Sequence, residues 1–216
     1  MIIVDYPPGG LGNFAAQVIT DTVINTGQPS FHNNHSRESR AYDIQLVCRS
    51  QQEFLHRLAE WQPTHSVAIC HSHGAVAELK RYTNYRIISI RPVKRWLQLY
   101  LNKQLKAMPQ ATMPAAQSYD WHYRAIESMK TQESYSIDHE LLNFDHFYSG
   151  PEQFRHTIQQ LNPLADSDGL YHLFNQTQQP ILDQIAQLEQ LAESGRAIQH
   201  RTNLEQAVIA WIRQDR

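Results

Sequence analysis

Three short stretches of this chain carry groups suited to chemistry. His71 and His73, in His71-Ser72-His73-Gly74, follow the apolar run 66–70. Two histidines at i and i+2 after a strand can point to one side of a sheet. An imidazole titrates near neutrality, so either histidine suits a general base acting on a hydroxyl. The same pair could ligate a metal with a third residue from elsewhere, or serve only as polar residues of a turn.

The second stretch is Pro8-Gly9-Gly10-Leu11-Gly12-Asn13, just after the apolar residues Ile2-Ile3-Val4. Glycines let backbone amides turn toward a ligand. Amides next to a helix N-terminus bind an anion without any charged side chain. A Walker A loop would end in Gly-Lys-Ser/Thr, but here Gly12-Asn13-Phe14 stands in that place. The loop therefore lacks the lysine and the magnesium-binding hydroxyl of an ATPase. It reads as a phosphate cradle or as a tight strand-to-helix turn with no ligand.

The third stretch is Arg91-Pro92-Val93-Lys94-Arg95. A guanidinium at a strand's end can grip a phosphate through two hydrogen bonds. Lys94 and Arg95 open the next helix, where the positive end of the helix dipole disfavours them. A nearby anion would offset that. The alternative is a solvated basic turn.

The elements around these stretches alternate. Strand patterns cover 2–4, 43–48, 66–70, 85–90 and 141–144, and helical periodicity covers 14–25, 51–61, 75–82, 93–108 and 121–130. Pro151 suits the first turn of a further helix. Amphipathic helices are expected over 180–191 and 204–212. Segments 27–42 and 109–120 read as loops. Alternation of this kind implies an α/β fold with a parallel sheet, and continuously apolar strands imply a sheet covered on both faces, in three layers. Ligands of such sheets bind at the carboxyl ends of the strands, where all three chemical stretches fall.

Length and composition set the frame. The chain has 216 residues, which fits one domain over 1–216: an α/β core over 1–160 and a helical part over 161–216. Lys and Arg number 19 against 21 Asp and Glu, a balance that argues against a nucleic-acid binder. The two cysteines, Cys48 and Cys70, do not suggest a disulfide framework. No stretch has the length of a membrane span, and the N-terminus lacks a signal-peptide pattern, so a cytoplasmic location and no membrane partner are expected.

In their order, these segments resemble the P-loop sulfotransferases, which transfer a sulfuryl group from 3'-phosphoadenosine-5'-phosphosulfate (PAPS) to a hydroxyl or amine. Tyr6-Pro7 matches the start of the family's phosphosulfate loop. The family's loop lysine falls on Pro8, and its Thr-Thr pair is absent. His71-Ser72-His73 is similar to the family's Lys-Thr-His, with His73 at the base position and His71 at the lysine position. The stretch 85–100 is similar to the strand, Arg-Asp/Asn-Pro and helix that hold the donor's 3'-phosphate. Arg91 falls on the phosphate-binding Arg, and Leu99 on the family's serine. Leu141-Leu142-Asn143-Phe144-Asp145-His146-Phe147 resembles the family's late strand.

The resemblance implies a P-loop nucleoside-triphosphate-hydrolase-like fold with C-terminal helices, PAPS as donor and no metal. It implies a cofactor-binding loop of Pro8, Gly9, Gly10, Leu11, Gly12 and Asn13, in which the amides of Gly9, Gly10, Gly12 and Asn13 hold the 5'-phosphate, with Arg91, Lys94 and Arg95 in the remaining cofactor-binding segment. His73 would deprotonate a small-molecule or glycan acceptor, and a protonated His71 would stand in for the lysine. A second resemblance is local. Gly9-Gly10-Leu11-Gly12-Asn13 is similar to the Gly-Gly-Leu-Gly-Asn-Gln opening of GDP-fucose-type fucosyltransferases, with Phe14 in place of the Gln. That implies a GDP-sugar-dependent glycosyltransferase. A third reading is a non-catalytic nucleotide-fold interaction module whose C-terminal helices form a homo-oligomer interface.

Overall fold

The computed structural model describes residues 2–6, 11–20, 56, 67–71, 86–106, 140–195 and 201–214. In chain order the elements are β1 (Ile2–Tyr6), α1 (Gly12–Thr20), β2 (Val67–His71), β3 (Arg86–Arg91) and α2 (Arg95–Lys106). β4 (Glu140–Asn143) follows, then a 3-10 turn (Phe144–Phe147), α3 (Pro151–Leu161), α4 (Ser167–Ser194) and α5 (Asn203–Gln214). The protein is a mixed α/β structure built on a parallel sheet. The strand at 43–48, the helices at 75–82 and 121–130, and the loops at 27–42 and 109–120 lie outside the described residues. Of the expected helix 51–61, residue 56 alone is described, and it is helical.

Among the described residues, four strands pair in the order β2-β1-β3-β4, every neighbour parallel. Val4 sits beside Ile88, and Ile90 beside Leu142. Register partners in a parallel sheet share a face, so Val4, Tyr6, Ile88, Ile90 and Leu142 form one face. All five belong to the main apolar core. Ile3, Ile87 and Ser89, which alternate with them, are buried too. The central strands are therefore covered on both sides, as their largely apolar composition requires.

The helices close over the first face. Phe14 of α1 packs its ring against Phe147, Phe154 and Phe174, with centroids 5.9, 6.3 and 5.8 Å away. This brings α1, α3 and α4 together around one aromatic cluster. Asn162, at the end of α3, donates to the Val18 carbonyl of α1 at 3.0 Å. Farther along, α4 and α2 both pack on α5, and the Tyr100 hydroxyl donates to Gln184 Oε1 at 2.6 Å. Arg213 of α5 donates to the Ala192 carbonyl at 3.1 Å, satisfying a carbonyl in the last turn of α4.

Two elements depart from the sequence expectation. β1 runs to Tyr6, beyond its apolar triplet, because Asp5 and Tyr6 pair with Cys70 and His71. α4 starts at Ser167 and passes straight through Pro180, where the pattern had suggested a fresh start. Asp166 caps it by accepting from the Gly169 amide at 3.0 Å. Proline has a helical φ and disturbs only the turn before it. Gln178 is buried within that turn, and buried Phe174 and Ile185 anchor the helix on either side of it.

Candidate functional site at the carboxyl edge of the sheet

The strand order decides where a ligand could sit. Among the described strands, β2 lies on one side of β1, and β3, which follows it in the chain, lies on the other. The winding reverses between β1 and β3, and the crevice outside such a reversal is the usual binding place of open parallel sheets. β1 ends at Tyr6, just before the glycine-rich segment, and β3 ends at Arg91.

The β1 side is tightly built. Tyr6 is fully buried, and Gly12 lies so close to its ring that a Cβ would enter it. Leu11, just before, has φ +60°, a left-handed conformation that costs a non-glycine residue about 1 kcal/mol or more. Its carbonyl accepts from the Ala15 amide at 2.9 Å, and its side chain is buried. Burial of Leu11 and this bond compel the strained turn. Gly12 and Asn13 begin α1 and are buried with it. Pro8, Gly9 and Gly10 lie outside the described residues.

Across the edge, His71 ends β2 and pairs with Tyr6. Arg91 ends β3 and pairs with Asn143. His71 and Arg91 therefore stand on either side of β1, about 10 Å apart by two strand spacings. His73 lies outside the described residues. Ser89 is fully buried beside Asp5 and shares Arg91's face of the sheet. Arg91 is half-buried, and its Nη1 donates to the Ile90 carbonyl at 3.1 Å.

The basic turn after β3 already has its anion. The Asp145 carboxylate, itself buried, accepts from the Val93 amide at 2.6 Å. Both of its oxygens accept from the Lys94 amide at 3.1 Å. Asp145 thus meets amides at the start of α2, where a negative charge is favoured. Its own amide donates to Asn143 Oδ1 at 3.0 Å. The Lys94 ammonium points to the helical layer, 3.6 Å from Glu189 Oε1 and 5.8 Å from the centre of the Trp96 ring. Arg95 is half-buried at the start of α2.

The structure thus brings Leu11, Gly12, Asn13, His71, Arg91 and Arg95 to one edge, and directs the Lys94 side chain to Glu189. Sequence reasoning assigned no role to Asp145 or Ser89. The signal for Asp145 was a carboxylate two residues beyond a strand end, facing a helix start that lacks any acidic residue of its own. Among the described residues, no group of three or more His, Cys, Asp or Glu side chains could hold a metal. Among them, too, no helix is long and apolar enough to cross a membrane. Set against known proteins, the chain matches no family model, no curated protein and no solved structure.

Proposed function

We propose that this chain is a sulfotransferase-like protein that binds PAPS at the carboxyl edge of a three-layer, P-loop-like sheet and transfers its sulfuryl group to a hydroxyl or amine. One observation carries the reading: the winding reverses between β1 and β3, the two strands that lead into the glycine-rich segment and Arg91. A donor with phosphates at both ends needs two anion sites a few strand spacings apart. The start of α1 offers amides, and Arg91 offers a guanidinium.

The donor set fits a 3'-phosphate better than it fits the family's usual treatment of the 5' end. Arg91 stands at the edge, half-buried on a fixed backbone. The loop lysine has no counterpart, since Pro8 cannot carry charge. Sulfuryl transfer needs an in-line approach, a base and charge stabilisation at the leaving phosphate. In this reading the amides around Gly12 hold the 5'-phosphate, His73 takes the acceptor's proton, and a protonated His71 supplies the charge that the missing lysine would have given. Arg91 anchors the 3'-phosphate.

Titration calorimetry with adenosine 3',5'-bisphosphate, with GDP and ATP as controls, tests the reading. Selective micromolar binding that disappears in Arg91→Ala supports it. A preference for GDP transfers support to the GDP-sugar glycosyltransferase reading. Silence toward all three ligands removes the nucleotide reading.

A further inference from the structure

We infer that Asp145 is the positioning residue for Arg91 and withholds the start of α2 from ligands, so anion recognition at the β3 edge rests on the guanidinium. This inference rests on the nucleotide reading above. Arg91 is fixed on two sides. On one side its residue pairs with Asn143 of β4, and Asn143 Oδ1 accepts from the Asp145 amide at 3.0 Å. On the other side Pro92 is buried and has no N–H to give. The next two amides, of Val93 and Lys94, donate to the Asp145 carboxylate at 2.6 and 3.1 Å. The strand pair, the Asn143–Asp145 bond and the carboxylate clamp close a ring of contacts through Arg91.

Helix starts ordinarily attract phosphate. Just before α2 the buried Asp145 carboxylate already takes the Val93 and Lys94 amides, and a second anion placed there would meet a like charge at short range. The turn therefore offers a phosphate monoester the guanidinium of Arg91, carried on backbone that needs no ordering when the ligand arrives. Such pre-organisation is what converts a single contact into affinity and selectivity.

Titration calorimetry of Asp145→Ala and Asp145→Asn tests this, with adenosine 3',5'-bisphosphate and adenosine 5'-monophosphate as probes. Circular dichroism checks the fold, and Asp145→Asn carries the test where Asp145→Ala does not fold. The expected result is a loss of bisphosphate affinity of about tenfold or more in Asp145→Ala, the size of effect that a small misplacement produces. Affinity for the monophosphate, which lacks the group Arg91 would hold, stays unchanged. Asp145→Asn, which keeps one acceptor oxygen, falls between. Equal losses for both probes, or unchanged bisphosphate binding, overturn the inference and leave the nucleotide reading standing. An unaltered protein that binds neither probe overturns the nucleotide reading and the inference together.

Discussion

Gly12 rests against the ring of Tyr6, with no room between them for even a methyl group. Tyr6 ends β1 and Gly12 begins α1, so their contact sets how the helix leaves the sheet. Both are buried, and neither can shift without disturbing the core around Phe14. Gly12→Ala is therefore expected to lower stability by about 1–3 kcal/mol, the usual cost of overpacking. Urea denaturation measures it directly. A variant as stable as the unaltered protein would show that the turn relaxes freely.

The start of α5 is a capping box. Thr202 Oγ1 accepts from the Glu205 amide at 3.3 Å, and Glu205 Oε2 accepts from the Thr202 amide at 2.9 Å. Thr202→Ala should cost about 1 kcal/mol. Desolvation pushes the Glu205 carboxyl upward, but the Thr202 bonds and the nearby Arg201 outweigh it and hold its pKa below the usual value. The ionised form is thus favoured on folding. Its stabilisation is complete above the ordinary glutamate pKa of about 4.3 and fades as pH falls through the lower folded value. Melting curves of Glu205→Gln and the unaltered protein should converge in acid and separate toward neutral pH.

At the opposite, amino edge of the sheet, Arg86 grips Glu140 with two bonds, at 2.6 and 2.7 Å, and also reaches the Gln160 carbonyl at 3.2 Å. The pair ties β3 to β4 but is largely exposed. Arg86→Ala should cost no more than about 1 kcal/mol. Because it lies at the far end of the strands, it should leave nucleotide affinity unchanged. Denaturation and calorimetry on the same variant separate the two effects.

Pro180 is exposed inside α4 and has no N–H for the Gln176 carbonyl one turn earlier. Pro180→Ala supplies that bond and a better helix former. The expected gain is up to about 3 kcal/mol, reduced by the greater freedom of the unfolded chain. A lower melting temperature would mean that the core is fitted to the proline's local geometry.

How far the sequence could be read depended on the range of the interactions. β3 announced itself because a strand buried on both faces must be largely apolar, as Ile87-Ile88-Ser89-Ile90 shows, and β4 was legible from Leu141-Leu142 although Leu141 is exposed. Pro151 marked the start of α3 because its φ suits a first turn. The first half of α4 was hidden: Asn175 to Gln179 is polar, Pro180 reads as a boundary, and the packing of Phe174 on Phe14 is a tertiary fact. Asp145 was hidden for the same reason. It serves an amide 52 residues away, and no local pattern connects the two. The basic turn did signal that it wanted an anion, but not that the chain carries its own.

α5 has a consequence for synthesis. Val208, Ile209 and Ile212 of α5 are buried against α2 and α4, in the same core that reaches β1. A chain emerging from the ribosome cannot seal that core until residues near 212 have cleared the exit tunnel. Until then the apolar sides of α2 and α4 stay open to water and to chaperones. Closure of this core is therefore an event that follows translation of α5, however early the strands begin to pair.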